Sequence, residues 1–317
     1  MNEILQRIDE ASHIVVIAHV NPDADSLGSA SALYTHLLRL HKKVSFFCAT
    51  KNLSPKFACI PWFDKIKESY PTSADLAIAL DCGTLQRVGV DVECDLINID
   101  HHQSNNNFGR YNLVDAGCIS TTQVLYHFFE KNEIAINPKM ATALYAGLLD
   151  DSKGFVGEGV DGTTFAVLNA LIAYKAEYEN CNRSLRRYAS LASLRLKGLM
   201  LQNMELFHNG MLSLFCVRVE DMKATGALGM DCESALDESL YLPTVNVALL
   251  LKENRDGSIK CSLRCKQEYD VAKIASLYNG GGHKSRAGFI LDASYTLQSA
   301  REEILNLLEK EIYFEKK

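Results

Sequence analysis

Short apolar runs alternate with amphipathic segments through the first half of the chain. Residues 13–19, 43–49, 75–81 and 95–100 have the length and composition of buried strands. Apolar side chains recur every three or four positions over residues 27–38, which predicts an amphipathic helix after the first strand. Strands separated by helices in this way predict an α/β domain with a doubly wound, mainly parallel sheet.

The second half of the chain has a different order. Strand-like runs at residues 211–219, 244–253 and 258–266 follow one another, and Asp256-Gly257 is a hairpin signal between the last two. A final helix is predicted near residues 297–310. We therefore expect a smaller α+β domain with a partly antiparallel sheet.

The predicted boundary lies in a basic segment. Residues 180–204 carry five arginines and lysines and no acidic residue, and their leucines recur at helical spacing. We predict a first domain over residues 1–180, a linker helix over 181–204 and a second domain over 205–317. The basic side chains are either a solvated face or a wall that faces phosphate.

Composition narrows the class of protein. With 317 residues, 47% hydrophobic and 23% charged, the chain has ordinary globular values and room for two cores. A net charge of −6 argues against non-specific binding of long duplex nucleic acid. It does not argue against a small phosphorylated substrate, because bound divalent cations would reverse the local charge.

Apolar runs and cysteine spacing bear on the cellular location. The apolar runs are far too short to span a bilayer, and no apolar leader follows the acidic N-terminus. Ten cysteines without a CxxC pair favour free thiols in a reducing environment. We expect a cytoplasmic protein without a membrane partner. The oligomeric state, including a homodimer, is left open by the sequence.

Candidate chemistry lies where the predicted strands of the first domain end. His19 ends the first run, with Asp23 and Asp25 shortly after it, and Asp81 ends the third. The fourth ends in the triplet Asp100-His101-His102. Since the carboxyl ends of parallel strands meet at one edge of a sheet, we expect these groups to lie together. An alternative for Asp25 is to cap the helix that starts beside it.

A further acidic pair, Asp150 and Asp151, follows an apolar helix at the negative end of its macrodipole. Carboxylates are unfavourable there unless a cation compensates, and Lys153 is a local candidate for that charge. A bound metal ion is the other candidate. A bound metal ion would place this pair in one site with the groups at the strand ends.

Together these residues form a hard imidazole–carboxylate set without thiolate. Its members are His19, Asp23, Asp25, Asp81, His101 and Asp151. Such ligands suit Mn²⁺ or Mg²⁺, and the histidines favour Mn²⁺. Six ligands are too many for one open catalytic ion, so they predict two ions bridged by one aspartate, as in phosphoryl hydrolysis.

Four spaced motifs carry a family resemblance: AHVNPDADSLGS, DCGTLQRVG, DHHQSNNNFG and GLLDDSKGF. With them the chain resembles the DHH phosphoesterase superfamily, and SLRCKQEYDVAKIASLYNGGGHKSRAGF resembles the DHH-associated domain. Size and layout are similar to nanoRNases that also dephosphorylate 3′-phosphoadenosine 5′-phosphate. The resemblance implies hydrolysis of short oligonucleotides and nucleoside bisphosphates in a cleft between the domains that holds the metal site. The alternatives are a phosphodiesterase for cyclic di-AMP or linear pApA, and a nucleotide-binding sensor without activity.

The resemblance also implies a role for each ligand. His19 and Asp23 fall on the first metal, Asp25 and His101 on the second, and Asp81 on the bridging carboxylate.

In the triplet, His102 falls on the histidine that faces the scissile phosphate, and Asp100 on the carboxylate that orients the histidines. In the fourth motif, Phe155 selects Asp151 as the ligand, because the family has a phenylalanine four residues after it. Asp150 departs from the pattern, since a small residue usually stands there.

The glycine segment Gly280-Gly281-Gly282-His283 has a physical reading of its own. Consecutive glycines let the backbone approach a ligand and present N–H groups to a phosphate. The resemblance implies that this loop, with Arg264 on a preceding strand, grips a phosphate that is not cleaved, or a terminal nucleotide. Arg286 departs from the small residues of the family, and it either adds a phosphate contact or is only exposed.

Overall fold

The chain divides into two units, residues 1–188 and 189–317. The structure is a computed structural model, and it describes residues 3–187, 189–266 and 269–311. Gln267 and Glu268, which belong to the motif of the second domain, lie outside the described residues.

The first unit is built on a parallel sheet. Within the described residues its strands are β1 (His13–Ala18), β2 (Lys43–Cys48), β3 (Ile66–Lys67), β4 (Leu76–Leu80), β5 (Asp95–Asp100) and β6 (Tyr111–Val114). Their order is β3-β2-β1-β4-β5-β6, and every neighbouring pair is parallel. The predicted α/β sheet is confirmed. The apolar pattern missed β3 and β6, because β3 has two residues and β6 is partly exposed.

Helices of the first unit pack against this sheet. They are α1 (Glu3–Glu10), α2 (Ala24–Arg39), α3 (Thr121–Lys131), α4 (Pro138–Asp151), α5 (Gly162–Ala173) and α6 (Tyr178–Cys181). Successive residues of β1 alternate between two cores: Ile14 and Val16 pack in one, Val15 and Ile17 in the other. Burial on both faces explains why the strand reads as a continuous apolar run.

The second unit has a mixed sheet. Within the described residues its strands are β7 (Glu205–Phe207), β8 (Leu212–Val217), β9 (Val247–Glu253), β10 (Ile259–Cys265), β11 (Gly281–His283) and β12 (Arg286–Leu291). The order is β11-β12-β10-β9-β8-β7, with β8 and β9 parallel and the other pairs antiparallel. The predicted α+β class is confirmed.

The helices of the second unit are α7 (Leu191–Gln202), α8 (Val219–Thr225), α9 (Ser234–Ser239), α10 (Val271–Ser276) and α11 (Leu297–Glu311). Helix α7 packs Leu196 and Met200 against Phe215 and Leu250 on one face of the sheet. A π-helical turn over Asn182–Arg186 precedes it in the chain. In the part of the chain that is described, no helix is both long and apolar enough to cross a membrane.

Candidate metal centre

Strand register aligns the first three motifs at the carboxyl edge of the parallel sheet. Ala18 at the end of β1 pairs with Leu80 of β4, and Leu80 pairs with Ile99 of β5. The residues that follow, His19 and Asp81, therefore stand side by side with Asp100. The edge predicted from the strand ends is the edge at which these side chains meet.

The predicted ligands fall into two adjoining groups. His19, Asp23 and Asp81 form one, and Asp25, His101 and Asp151 form the other; in each, one ligand atom per residue lies within 4.8 Å of the others. In the first group, Nε2 of His19 is 3.7 Å from Oδ2 of Asp23. In the second, Nε2 of His101 is 3.3 Å from Oδ2 of Asp151.

Asp81 connects the two groups. Its Oδ2 is 3.3 Å from Nε2 of His19, and its Oδ1 is 3.6 Å from Nε2 of His101. The side chain is held by the hydroxyl of Thr121, which donates to Oδ1 at 2.8 Å. Its backbone has a φ of 62°, an uncommon conformation for aspartate that is typical of functional sites. One carboxylate thus faces a histidine of each group.

Asp25 binds the N-terminus of α3 and does not cap α2, the helix to which it belongs. The backbone N–H groups of Thr121 and Thr122 donate to its two oxygens at 2.6 and 2.9 Å, and the Thr122 hydroxyl adds a third bond at 2.7 Å. The cap of α2 is Asp23, whose Oδ1 accepts from the N–H of Ser26 at 3.0 Å. Asp23 is therefore the residue that caps α2, and its other oxygen, Oδ2, still faces His19.

The charges of this set are poorly compensated by the protein alone. Burial and then repulsion from Asp25 raise the pKa of Asp81 to about 7. Burial and neighbouring carboxylates also raise the pKa of Asp151 well above its ordinary value. Burial lowers the pKa of His19, but hydrogen bonds to Asp23 and Asp81 outweigh it and raise that pKa to about 9. Buried carboxylates crowded around imidazoles fit divalent cations.

We expect the metal-free protein to lose stability as the pH rises between about 6.5 and 8.5. Asp81 and His19 both bind their protons more tightly in the folded state, with pKa values of about 7 and 9. The stability that this proton binding supplies is present at lower pH and is lost as the pH rises through these values. Thermal unfolding with a chelator over this range measures it.

Added Mn²⁺ should reverse the trend, because metal binds deprotonated ligands and stabilises the folded state. The increase in melting temperature caused by Mn²⁺ should therefore grow with pH. An increase that shrinks with pH would contradict the assignment. His36 acts in the opposite direction, because burial lowers its pKa to about 4, but it contributes equally with and without Mn²⁺ and so cancels from this comparison.

The two histidines of the triplet Asp100-His101-His102 have different partners. Nδ1 of His102 donates to Oδ1 of Asp100 at 2.8 Å, and Asp100 is fully buried. The amide of Asn105 donates to the other oxygen of Asp100 at 2.5 Å. The ring of His101 instead lies 3.4 Å from the carbonyl oxygen of Cys118. Asp100 therefore orients His102, and its hydrogen bond raises the pKa of that imidazole.

Asp150 and Asp151 differ in their surroundings. Oδ2 of Asp150 accepts from the N–H of Ala24 at 3.0 Å, so this carboxylate stabilises the start of α2. Asp151 instead faces His101. Among the described residues, no ion pair joins Lys153 to either aspartate. The charge that these carboxylates lack is therefore not supplied by the neighbouring lysine.

We expect Asp151→Asn to weaken metal binding by about 10- to 100-fold or more, a loss that even residues behind the ligands produce. Asp150→Asn keeps an oxygen for the Ala24 N–H and should retain both metal affinity and turnover within a few-fold. Metal content after dialysis against defined free Mn²⁺ checks the pair. Equal losses in the two variants would refute the choice of Asp151.

The predicted substrate-binding residues lie in the second unit. Arg264 is buried on β10, with Nη2 2.5 Å from Oε2 of Glu233 and Nε 3.7 Å from Oδ1 of Asp237. Its Nε has no hydrogen-bond partner among the described residues. Arg286, paired with Arg264 across the strands and half-exposed, contacts Asp237 at 3.3 Å. Both guanidinium groups therefore have internal carboxylate partners.

The glycine segment is an edge strand rather than a free loop. Gly281, Gly282 and His283 form β11, which pairs with β12. Gly282 has a φ of 143°, and a Cβ on Gly280 would lie 2.4 Å from the carbonyl oxygen of Gly288. Gly280 and Gly282 are thus required by the hairpin itself. Gly281 has nothing within 4 Å of a Cβ position and is open to a ligand.

Comparison with known families agrees with this geometry. Residues 13–148 match the model of the DHH family, N-terminal domain. This match covers most of the first unit. The resemblance inferred from the motifs is confirmed, because proteins named bifunctional oligoribonuclease and PAP phosphatase also align over most of the chain.

Similar proteins come from several bacteria, and two of them are compared with this chain. It is 27% identical over 311 residues to the bifunctional oligoribonuclease and PAP phosphatase NrnA of Thermus thermophilus, covering 98% of this chain and 93% of that protein. It is 23% identical to the enzyme of the same name from Bacillus subtilis, covering 90% and 91% of the two chains.

Solved structures share the fold. An exopolyphosphatase-related protein from Bacteroides fragilis superposes with a TM-score of 0.90 at 23% identity, covering 98% of this chain and 95% of that one. RecJ of Thermus thermophilus in complex with Mn²⁺ gives a TM-score of 0.57 at 15% identity, covering 97% of this chain and 54% of RecJ.

Several residues that support the candidate metal centre could not be predicted from the sequence. Thr121, Thr122 and Asn105 hold the site carboxylates, and Arg87 contacts His19. Arg87 and Asn105 lie within the second and third motifs, whereas Thr121 and Thr122 start α3, outside all four motifs. Their roles depend on which loops meet in space, so residue type and spacing alone gave no sign of them.

Proposed function

We propose that this protein is a two-metal phosphoesterase. It hydrolyses short oligoribonucleotides to mononucleotides and 3′-phosphoadenosine 5′-phosphate to AMP. The observation that carries the proposal is Asp81, whose two oxygens face His19 and His101 in two adjoining ligand groups. The names of the relatives support the same phosphoesterase function.

The six predicted ligands would hold two divalent cations, with Asp81 shared between them. Mn²⁺ is the proposed metal, since the set contains two imidazoles with four carboxylates, and Mg²⁺ is the alternative. The chemistry that such ions supply when bound is a lowered pKa of water and neutralisation of phosphoryl charge. The ten free cysteines fit the proposed cytoplasmic location.

His102 is the proposed proton donor to the leaving oxygen. Asp100 accepts from its Nδ1, so Nε2 is left for the substrate. The same carboxylate favours the charged imidazole, which is the form that can donate. Asn105 fixes Asp100 in turn. This chain of contacts makes Asp100 a positioning residue behind His102.

In the second unit we propose that Arg264 and the glycine segment bind the part of the substrate that is not cleaved. Support comes from the buried Nε of Arg264, which has no hydrogen-bond partner among the described residues, and from the open position at Gly281. His283 is exposed beside it. A terminal phosphate offers acceptor oxygens for each of these donors.

A panel assay with Mn²⁺ tests the proposal. The substrates are an RNA dinucleotide, 3′-phosphoadenosine 5′-phosphate, cyclic di-AMP, linear pApA and pyrophosphate. We expect turnover of the first two. Preference for cyclic di-AMP or pApA would instead favour the dinucleotide phosphodiesterase. Binding without turnover of any substrate by folded, metal-loaded protein would indicate a sensor and overturn the enzyme proposal.

A further inference from the structure

Arg87 lies against the metal centre with no carboxylate of its own. It belongs to a 3-10 turn over Leu85–Val88, in the loop that follows β4. Its Nη2 is 2.9 Å from Nε2 and 3.0 Å from Nδ1 of His19. Among the described residues, no carboxylate oxygen lies within 4 Å of this guanidinium. The arginine therefore brings an unpaired positive charge to the edge of the first ligand group.

The backbone fixes Arg87 in this place. The N–H of Val20, next to His19, donates to the carbonyl oxygen of Arg87 at 2.8 Å. The turn ends at Gly89, which has a φ of 75°, and a Cβ there would lie 2.3 Å from Cγ1 of Val20. Only glycine allows this close approach. The loops after β1 and β4 are thus tied together beneath the guanidinium.

His19 does not need this arginine as a partner. Its Nδ1 lies 2.9 Å from the carbonyl oxygen of Val20, and its Nε2 faces Asp81 and Asp23 at 3.3 and 3.7 Å. A guanidinium carries five N–H donors, and one nitrogen makes the contact with the imidazole. The remaining donors are available to a ligand that reaches the site.

Charge balance indicates what that ligand is. Asp23, Asp25, Asp81 and Asp151 supply four negative charges, which two divalent cations neutralise. A phosphate adds further negative charge, and within the described residues Arg87 and His102 are the cationic side chains that contact the ligand groups. They approach from different sides: Nδ1 of His102 lies 3.7 Å from Oδ1 of Asp81, whereas Arg87 contacts His19, whose Nε2 faces Oδ2.

We propose that Arg87 is a further catalytic residue that donates hydrogen bonds to a non-bridging oxygen of the scissile phosphate, on the side of His19. This inference rests on the proposed phosphoesterase function. An arginine suits the role because its planar donors can bind two phosphate oxygens at once, whereas lysine acts as a point charge.

Arg87→Gln and Arg87→Lys test the role with 3′-phosphoadenosine 5′-phosphate as substrate. We expect Arg87→Gln to lower kcat/KM by about 100-fold or more, with the loss mainly in kcat, as for other donors to developing charge. Arg87→Lys should recover part of it. Both variants should retain the metal content of the wild-type protein. Arg110→Gln is the matched control, since that exposed arginine pairs with Asp95 at the start of β5.

Two outcomes overturn the inference: Arg87→Gln turnover within about threefold of wild type, or metal loss in parallel with activity, as a structural role predicts. Inactive wild-type protein would refute the proposed function separately. In that case, calorimetric titration of metal-loaded protein with inorganic phosphate still decides the role of Arg87. Affinity lowered at least about tenfold in Arg87→Gln supports it, and unchanged affinity refutes it.

Discussion

Asp81→Asn is expected to lower turnover by more than about 10³-fold, because it weakens both ligand groups at once. Each oxygen of Asp81 faces a different histidine, and the residue is 2% exposed, so solvent cannot replace the lost charge. The variant should remain folded, since the amide can still accept from Thr121. Steady-state rates together with bound metal per chain measure the effect.

Asp95→Asn is the matched control for this substitution. Asp95 starts β5 at the opposite end of the strand from Asp100 and pairs with Arg7 and Arg110. Loss of these exposed and partly exposed ion pairs should change stability little and leave turnover unchanged. If Asp81→Asn kept full metal content and wild-type rates, the bridging role of Asp81 would be wrong.

Gly147→Ala should damage the metal centre without altering any ligand. Gly147 is in α4, and a Cβ there would lie 2.5 Å from Oδ1 and 2.8 Å from Cα of Asp25. It would also lie 2.4 Å from Cγ2 of Thr122, the residue that holds this carboxylate. Relief requires α2 and α4 to separate. The two helices are packed in close contact, because a Cβ on Gly28 of α2 would lie only 2.4 Å from the backbone oxygen of Ala143 in α4.

We expect this overpacking to cost about 1–3 kcal/mol of unfolding free energy and to lower metal affinity by at least about tenfold. Metal titration well below the melting temperature separates displacement of Asp25 from general instability. Gly198→Ala in α7 is the control, because nothing lies within 4 Å of its Cβ position. It should stabilise the helix by about 0.5–1 kcal/mol. Wild-type metal affinity in Gly147→Ala would remove the proposed constraint on Asp25.

The buried strands and the residues at their ends could be predicted from sequence. The run from Ile14 to Ala18 is fully buried on both faces, so its apolar composition is unbroken. Parallel pairing then brings His19, Asp81 and Asp100 to one edge whatever the loops do. The fold class followed from the same pattern and is confirmed. The DHH resemblance is confirmed as well.

What the sequence could not predict depends on contacts between distant segments. Capping of its own helix was the alternative interpretation of Asp25, but the N-terminus of α3 binds this carboxylate, nearly one hundred residues later in the chain. The glycine segment suggested a ligand loop, whereas Gly280 and Gly282 are required by the packing of the β11–β12 hairpin. Arg264 suggested a free phosphate contact, yet Glu233 lies beside it. The substrate-binding role of these residues stays a prediction.

The central claim is that two divalent cations, held by the six ligands around Asp81, enable hydrolysis of a phosphate ester. Titration of metal-free protein with Mn²⁺, while phosphate release from 3′-phosphoadenosine 5′-phosphate is followed, tests it most directly. The account predicts no release without metal and a rate that saturates at two equivalents of Mn²⁺ per chain. Release that persists with excess chelator, or that is absent at every Mn²⁺ ratio in folded protein, would contradict it.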